Sequence, residues 1–146
     1  MSMKSTADLI ITELEKITSP AVPIVQKVPS QHGDDRPKSI LKNDCWINLE
    51  PDLQTRSDEP NKSSLRSYGF TAHFWYSSKR WSLEDTADIQ MDMSDALYDA
   101  LGHNTLAGNA RYGIAYDDMD TLTFEGGEDD DTSYVVRLPF VVWRQV

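Results

Sequence analysis

Apolar positions recur along this chain in two rhythms, one helical and one of strict alternation. Between Ser5 and Ile17, the residues Ile10, Leu14 and Ile17 fall three or four apart, and Leu9 widens the stripe. That spacing predicts an amphipathic helix capped by Ser5 or Thr6, with Asp8 in the first turn complementing the dipole. Ser19-Pro20 stops it, because the residue before a proline is pushed out of helical geometry. Val22 to Val28 predicts a short strand with Pro23 near its start. Strand character returns from Ser39 to Leu49 through Ile40, Leu41, Cys45, Trp46 and Ile47. Two segments lack periodicity: Pro29 to Pro37, mobile by composition, and the polar stretch Glu50 to Ser64, which holds Pro51 and Pro60. Both predict long loops, which in a small domain are more often functional or disordered than incidental.

The strongest alternation runs from Ser67 to Ser77. Tyr68, Phe70, Ala72, Phe74 and Tyr76 share one face, and Gly69, Thr71, His73 and Trp75 share the other. This predicts a central strand of a sheet covered on one side. A second helix follows from Ser82 to Leu101, with Ser82 as cap and Glu84 and Asp85 in its first turn. Its apolar stripe is Ile89, Met93, Ala96, Leu97 and Ala100; Asp85, Asp88, Asp92, Asp95 and Asp99 lie opposite, and Gly102 follows the end. After the loop His103 to Asn109, three strands are predicted: Arg111 to Tyr116, Thr121 to Glu125 and Ser133 to Trp143. Asp117-Asp118 and Gly126-Gly127 mark the turns between them. The last strand is long and apolar enough to need pairing on both sides, and Pro139 marks a missing ladder donor or a bulge. The expected fold is α+β: a mostly antiparallel sheet of about five strands, two helices packed on one face, and long connecting loops, in a single domain over 1–146.

Charge changes the picture. The formal net charge is −10, and it is not spread evenly. From Ser82 to Asp131 there are fourteen acidic residues and one base, Arg111, whereas Met1 to Trp81 holds ten acids and eleven bases. Nucleic-acid affinity comes mainly from clustered Lys and Arg, so this surface repels polyanions or meets a basic partner, the alternative being a solvated acidic helix face and two acidic loops that serve solubility. Phe70 to Trp81 does set aromatics beside Lys79 and Arg80, but those aromatics alternate as a core strand and the acidic segment follows at once.

Candidate chemistry is sparse. The single Cys45 permits no intrachain disulfide and reads as a buried, inert thiol beside Trp46. His32, His73 and His103 stand in a loop, a strand and a post-helix loop without ligand spacing, so no metal and no cofactor is expected. His73 reads as a satisfied or interface histidine. The chain has no G-x-S-x-G, H-E-x-x-H, Walker A or G-x-G-x-x-G, and the expectation is that it is not an enzyme. Asp118 and Asp120 have the step of a calcium loop, but Leu122 stands at the next ligand position. No stretch approaches the roughly 20 apolar residues of a membrane-spanning helix. Met1-Ser2-Met3-Lys4 leads into an amphipathic stretch rather than a leader, which predicts a soluble protein made in a cytoplasm, with no membrane partner.

The order of elements resembles the tail-terminator (tail-completion or neck) proteins of long-tailed bacteriophages. The resemblance rests on the N-terminal helix, Ala21-Val22-Pro23-Ile24-Val25, the strand around Trp46-Ile47-Asn48-Leu49, and the aromatic strand Tyr68 to Tyr76. The latter runs into the helix through Ala87, Ile89, Met93 and Leu97, and the chain ends in Val135 to Arg144. It is a likeness of order and length over most of the chain, without a diagnostic short motif. It implies a structural virion protein, one subunit of a hexameric ring that ends the tail tube and joins it to the head connector. The implied partners are further copies of itself, the tail tube protein and the head–tail connector protein, with DNA passing through unbound. It would reside in the virion neck after assembly in the host cytoplasm. Glu125, Glu128, Asp129, Asp130 and Asp131 are then expected on a hairpin tip facing the channel, and the two long loops on the ring faces, ordering on contact with neighbouring rings. A head-side connector or minor tail protein of the same particle, and an acidic protein-binding module, are the alternatives.

Overall fold

The two longest alternating segments pair with each other at the centre of a sheet. In the computed structural model, Ser67–Ser77 (β3) and Ser133–Arg144 (β6) run antiparallel in one unbroken register, from Ser67 opposite Trp143 to Ser77 opposite Ser133. The structure describes residues 2–35, 45–57, 67–77, 83–124 and 132–144. Antiparallel to β3 on its other side lies Trp46–Ser57 (β2), and Ile24–Lys27 (β1) pairs parallel with β2. The far flank of β6 carries two short strands end to end. Tyr112–Tyr116 (β4) lies along Phe140 to Arg144, and Asp120–Phe124 (β5) along Ser133 to Arg137. The sheet thus has six strands and is antiparallel except at β1, as the expected α+β fold with a mostly antiparallel sheet of about five strands requires, with β4 and β5 sharing one flank of β6.

Pro139 sits at the junction between them. Its carbonyl accepts the Asp117 N–H at 2.9 Å, on the flank that β4 and β5 share. A residue's N–H and C=O point to the same side of a strand, so the donor that proline lacks faces the gap between the two short ladders.

Both helices cover one face of the sheet. Met3–Leu14 (α1) buries Ile10 and Leu14 there, and Leu83–Leu101 (α2) buries Met93, Leu97 and Leu101. They meet Ile47 and Leu49 of β2, the row Tyr68, Phe70, Ala72, Phe74 and Tyr76 of β3, and Val136, Leu138, Phe140 and Val142 of β6. Every second residue of each central strand points at the helices, as a pleated sheet requires.

Three local expectations differ. α1 starts two residues earlier than expected, because Ser2, not Ser5 or Thr6, is its cap: Ser2 Oγ accepts the Ser5 N–H at 3.0 Å, and Ser5 Oγ accepts the Ser2 N–H at 3.0 Å. Asp8 is then beyond the first turn, and it instead accepts a hydrogen bond from Lys27 Nζ on β1 at 2.6 Å. The segment from Glu50 is not loop as far as Ser57; it continues β2, opposite Thr71, Phe70 and Gly69 before a register shift. Pro51 fits there because it stands near this irregularity in a strand flanked on its other side only by the four residues of β1.

Candidate functional site

The second face of the sheet is the less expected one. On β2 it carries Trp46, Asn48 and Glu50, on β3 His73 and Trp75, on β6 Val135 and Arg137, and on β5 Asp120, Leu122 and Phe124. Trp46 and Trp75 stack with ring centroids 5.8 Å apart and planes 9° from parallel, and Phe124 packs against Trp75 at 5.2 Å. Trp46, Trp75 and Val135 are buried, with Ile24 and Leu122 packed around them. A second apolar cluster therefore occupies the side expected to be open.

Over part of this face, against Asn48, Glu50, His73 and Trp75, lies the segment 29–35, within the stretch Pro29 to Pro37 expected to be mobile and to order only on contact with a partner. Residues 29–35 are instead tied down within the subunit; 36 and 37 lie outside the described residues. Gly33 is the hub. Its N–H donates to Glu50 Oε2 at 2.7 Å, and its carbonyl accepts from both Asn48 Nδ2 and Trp75 Nε1, each at 3.2 Å. Asn48 also donates to the Asp35 carbonyl at 3.2 Å and accepts from Gln26 Nε2 at 2.9 Å. Within the segment, the His32 N–H donates to the Pro29 carbonyl and the Asp35 N–H to the His32 carbonyl, both at 3.1 Å. Backbone without secondary structure must find partners elsewhere, and the inward polar side chains of β2 and β3 supply them.

His73 lies beneath this clasp. It is 4% exposed. A Cβ at Gly33 would overlap its imidazole, so only glycine allows so close an approach. Asp34 Oδ1 comes within 3.3 Å of Nδ1, but off a hydrogen-bonding direction, and neither ring nitrogen has a hydrogen-bond partner among the described residues. His73 is thus buried without being satisfied. Burial pushes its pKa below the ordinary imidazole value, against the opposing pull of Glu50 and Asp34. Beside it, Arg137 holds Asp120 by two hydrogen bonds of 2.9 and 2.5 Å, which keeps that carboxyl below its usual range.

The outer face of α2 is the second notable surface. Glu84, Asp85, Asp88, Asp92, Asp95 and Asp99 are all exposed, on the side away from Met93, Leu97 and Leu101. The acidic stripe inferred from spacing is therefore where helical periodicity put it. Glu125, Glu128, Asp129, Asp130 and Asp131, expected to face a channel, lie outside the described residues, as do the Ser82 cap and residues 58 to 64 of the second long loop. Cys45 is buried, its Sγ donating to the Ala21 carbonyl at 3.2 Å. His32, exposed, pairs with Asp35 at 2.7 Å. Among the described residues no group of three or more His, Cys, Asp or Glu is placed to hold a metal ion, and no helix is long and apolar enough to cross a membrane.

No protein-family model matches the chain, and no curated protein does. Solved structures do: 23 chains are similar. One of them, whose name describes no activity, shares 15% identity over 96% of each chain and superposes with a TM-score of 0.48. A likeness at that level carries no statement about function.

Proposed function

We propose that this chain is a structural subunit of a bacteriophage neck, one of the sixfold-repeated copies of a tail-terminator ring that ends the tail tube and meets the head connector. The observation that carries the reading is the charged surface of α2, six exposed carboxylates on one helix face, in a chain whose basic residues lie elsewhere. A wall of this sign offers DNA no counterion-releasing contact, so a duplex slides past without sticking. The sheet adds a second support. Its two flanks are different strands, β1 on one side and β4 with β5 on the other. A closed ring is built from heterologous contacts, in which two unlike patches of one subunit meet those of its neighbours. The role is mechanical rather than catalytic, with the tail tube, the connector and further copies of this chain as partners.

Cryo-electron microscopy of the particle that contains the chain tests this, together with native mass measurement of the isolated protein. A ring of copies between tail tube and head connector is the expected result. A ring on the head side of that joint would favour the connector reading. A stable 16.6 kDa monomer with no copies in any particle would overturn both and leave an acidic protein-binding module.

A further inference from the structure

Among the described residues His73 is the one histidine in the core, and three of the elements around it bring ionisable groups towards it. The clasp brings Asp34, β2 brings Glu50, and the β5–β6 pair brings Asp120 and Arg137. Arg137 is already committed to Asp120. Glu50 is committed to the Gly33 N–H. Asp34, 45% exposed, approaches the ring without a hydrogen bond to it. Asp34 is thus the nearest carboxylate to an imidazolium at this position, yet it lies off a hydrogen-bonding direction, and both ring nitrogens are buried without a hydrogen-bond partner among the described residues, so desolvation favours the neutral ring. We propose that residues 29–35 form a pH-sensitive clasp, closed over the tryptophan-lined face of the sheet while His73 is neutral and released when that imidazole takes up a proton. The proposal does not depend on the neck reading.

The sign follows from which state binds the proton better. In the closed state burial, the largest influence, makes His73 harder to protonate, and Arg137 acts the same way; Glu50, Asp34 and Asp120 oppose them without reversing the direction. Once the clasp lifts, the ring meets water and returns towards 6.5. A group depressed in the closed state favours closure above its open-state value, and that preference is lost as pH falls through about 6.5. Below it the opening equilibrium shifts about tenfold per pH unit until the closed state protonates too. Opening breaks the hydrogen bond from Trp75 Nε1 to the Gly33 carbonyl and frees that edge of the indole. The clasp also holds the His32–Asp35 pair, 2.7 Å apart and exposed.

The test is hydrogen exchange of the full-length protein between about pH 7.5 and about pH 5.5, corrected for intrinsic rates, with acrylamide quenching of tryptophan fluorescence alongside. The amides of Gly33 and Asp35 should lose protection at the acid end, by up to about tenfold, while the β3 and β6 amides keep theirs, and quenching should rise. In His73→Phe, and independently in His73→Gln, the acid loss should vanish; in His32→Gln it should persist. Constant or rising clasp protection on acidification would overturn the proposal. So would simultaneous loss in β3 and β6, or an unchanged acid response in both His73 variants.

Discussion

Gly33 concentrates the consequences of a single side chain being absent. Its N–H, its carbonyl and its Cα face are all used at once, by Glu50, by Asn48 with Trp75, and by the His73 ring. Adding one methyl group there would drive the segment off the sheet, because the atoms it meets are in a buried ring and a carboxylate that is itself bonded. Gly33→Ala should therefore destabilise the protein by about 1–3 kcal/mol, the range of overpacking in a filled site. The loss should appear in a denaturant titration as a lower midpoint with the slope preserved. Quenching of Trp75 at neutral pH should rise with it. An alanine variant as stable as the parent would show that the clasp contributes nothing to the fold. Tyr76 illustrates the opposite case, a buried polar group that is satisfied: Gln90 Nε2 donates to its hydroxyl at 2.6 Å, and burial pushes its pKa up to about 12. It stays neutral across the whole range over which His73 titrates.

At the scale of elements, what was legible in the sequence were the segments with strong periodicity. β3 has its expected bounds, and β6 and α2 come within one residue of theirs, because ten or more residues of consistent alternation or helical spacing leave one way to bury the apolar face. The core residues that follow from those patterns, Phe70, Phe74, Met93, Leu97, Val136, Leu138 and Phe140, are buried together, with Ile89 at their margin. The extension of β2 through Leu53 to Ser57 was not legible, since Glu50, Pro51 and Asp52 carry loop composition and are held in the ladder by β3. The clasp was illegible for a related reason. Its order comes from Asn48, Glu50 and Trp75, which alternation reads merely as the residues on the other face. A trace existed in hindsight: a Trp, an Asn and a Glu on alternate positions of one strand are unusual on an open face and need partners. Phe74 tests the shared core directly. It is fully buried and stacks on Tyr76 at 5.5 Å. Phe74→Ala should cost roughly 3–5 kcal/mol, from lost burial plus the cavity left between sheet and helices. Thermal unfolding with an unchanged midpoint would remove Phe74 from that core.

At the scale of the whole molecule, the asymmetry of charge poses the remaining question, which is where the acidic segment faces in an assembly. The chain from 125 to 132 connects β5 to β6, two strands adjacent in the sheet, and five of its residues are acidic. Repeated around a sixfold ring, such tips would make a strongly negative annulus, screened only over a Debye length of about 8 Å at physiological salt. If the tips line the channel, they hold DNA off the wall. If they point outwards, they dock onto a basic neighbour. Replacing Asp129, Asp130 and Asp131 with Asn separates the two, because it removes charge while keeping volume. The channel reading, which we favour, predicts particles that assemble normally and eject DNA abnormally, since the amide side chains no longer repel the phosphates. The docking reading predicts that free heads and free tails accumulate unjoined. Electron microscopy of the particles counts joined against unjoined forms, and a dye-based ejection assay times DNA release. Normal joining with normal release would sink both readings and leave the acidic segment as a solubilising surface, the common role of exposed like charges on a small domain.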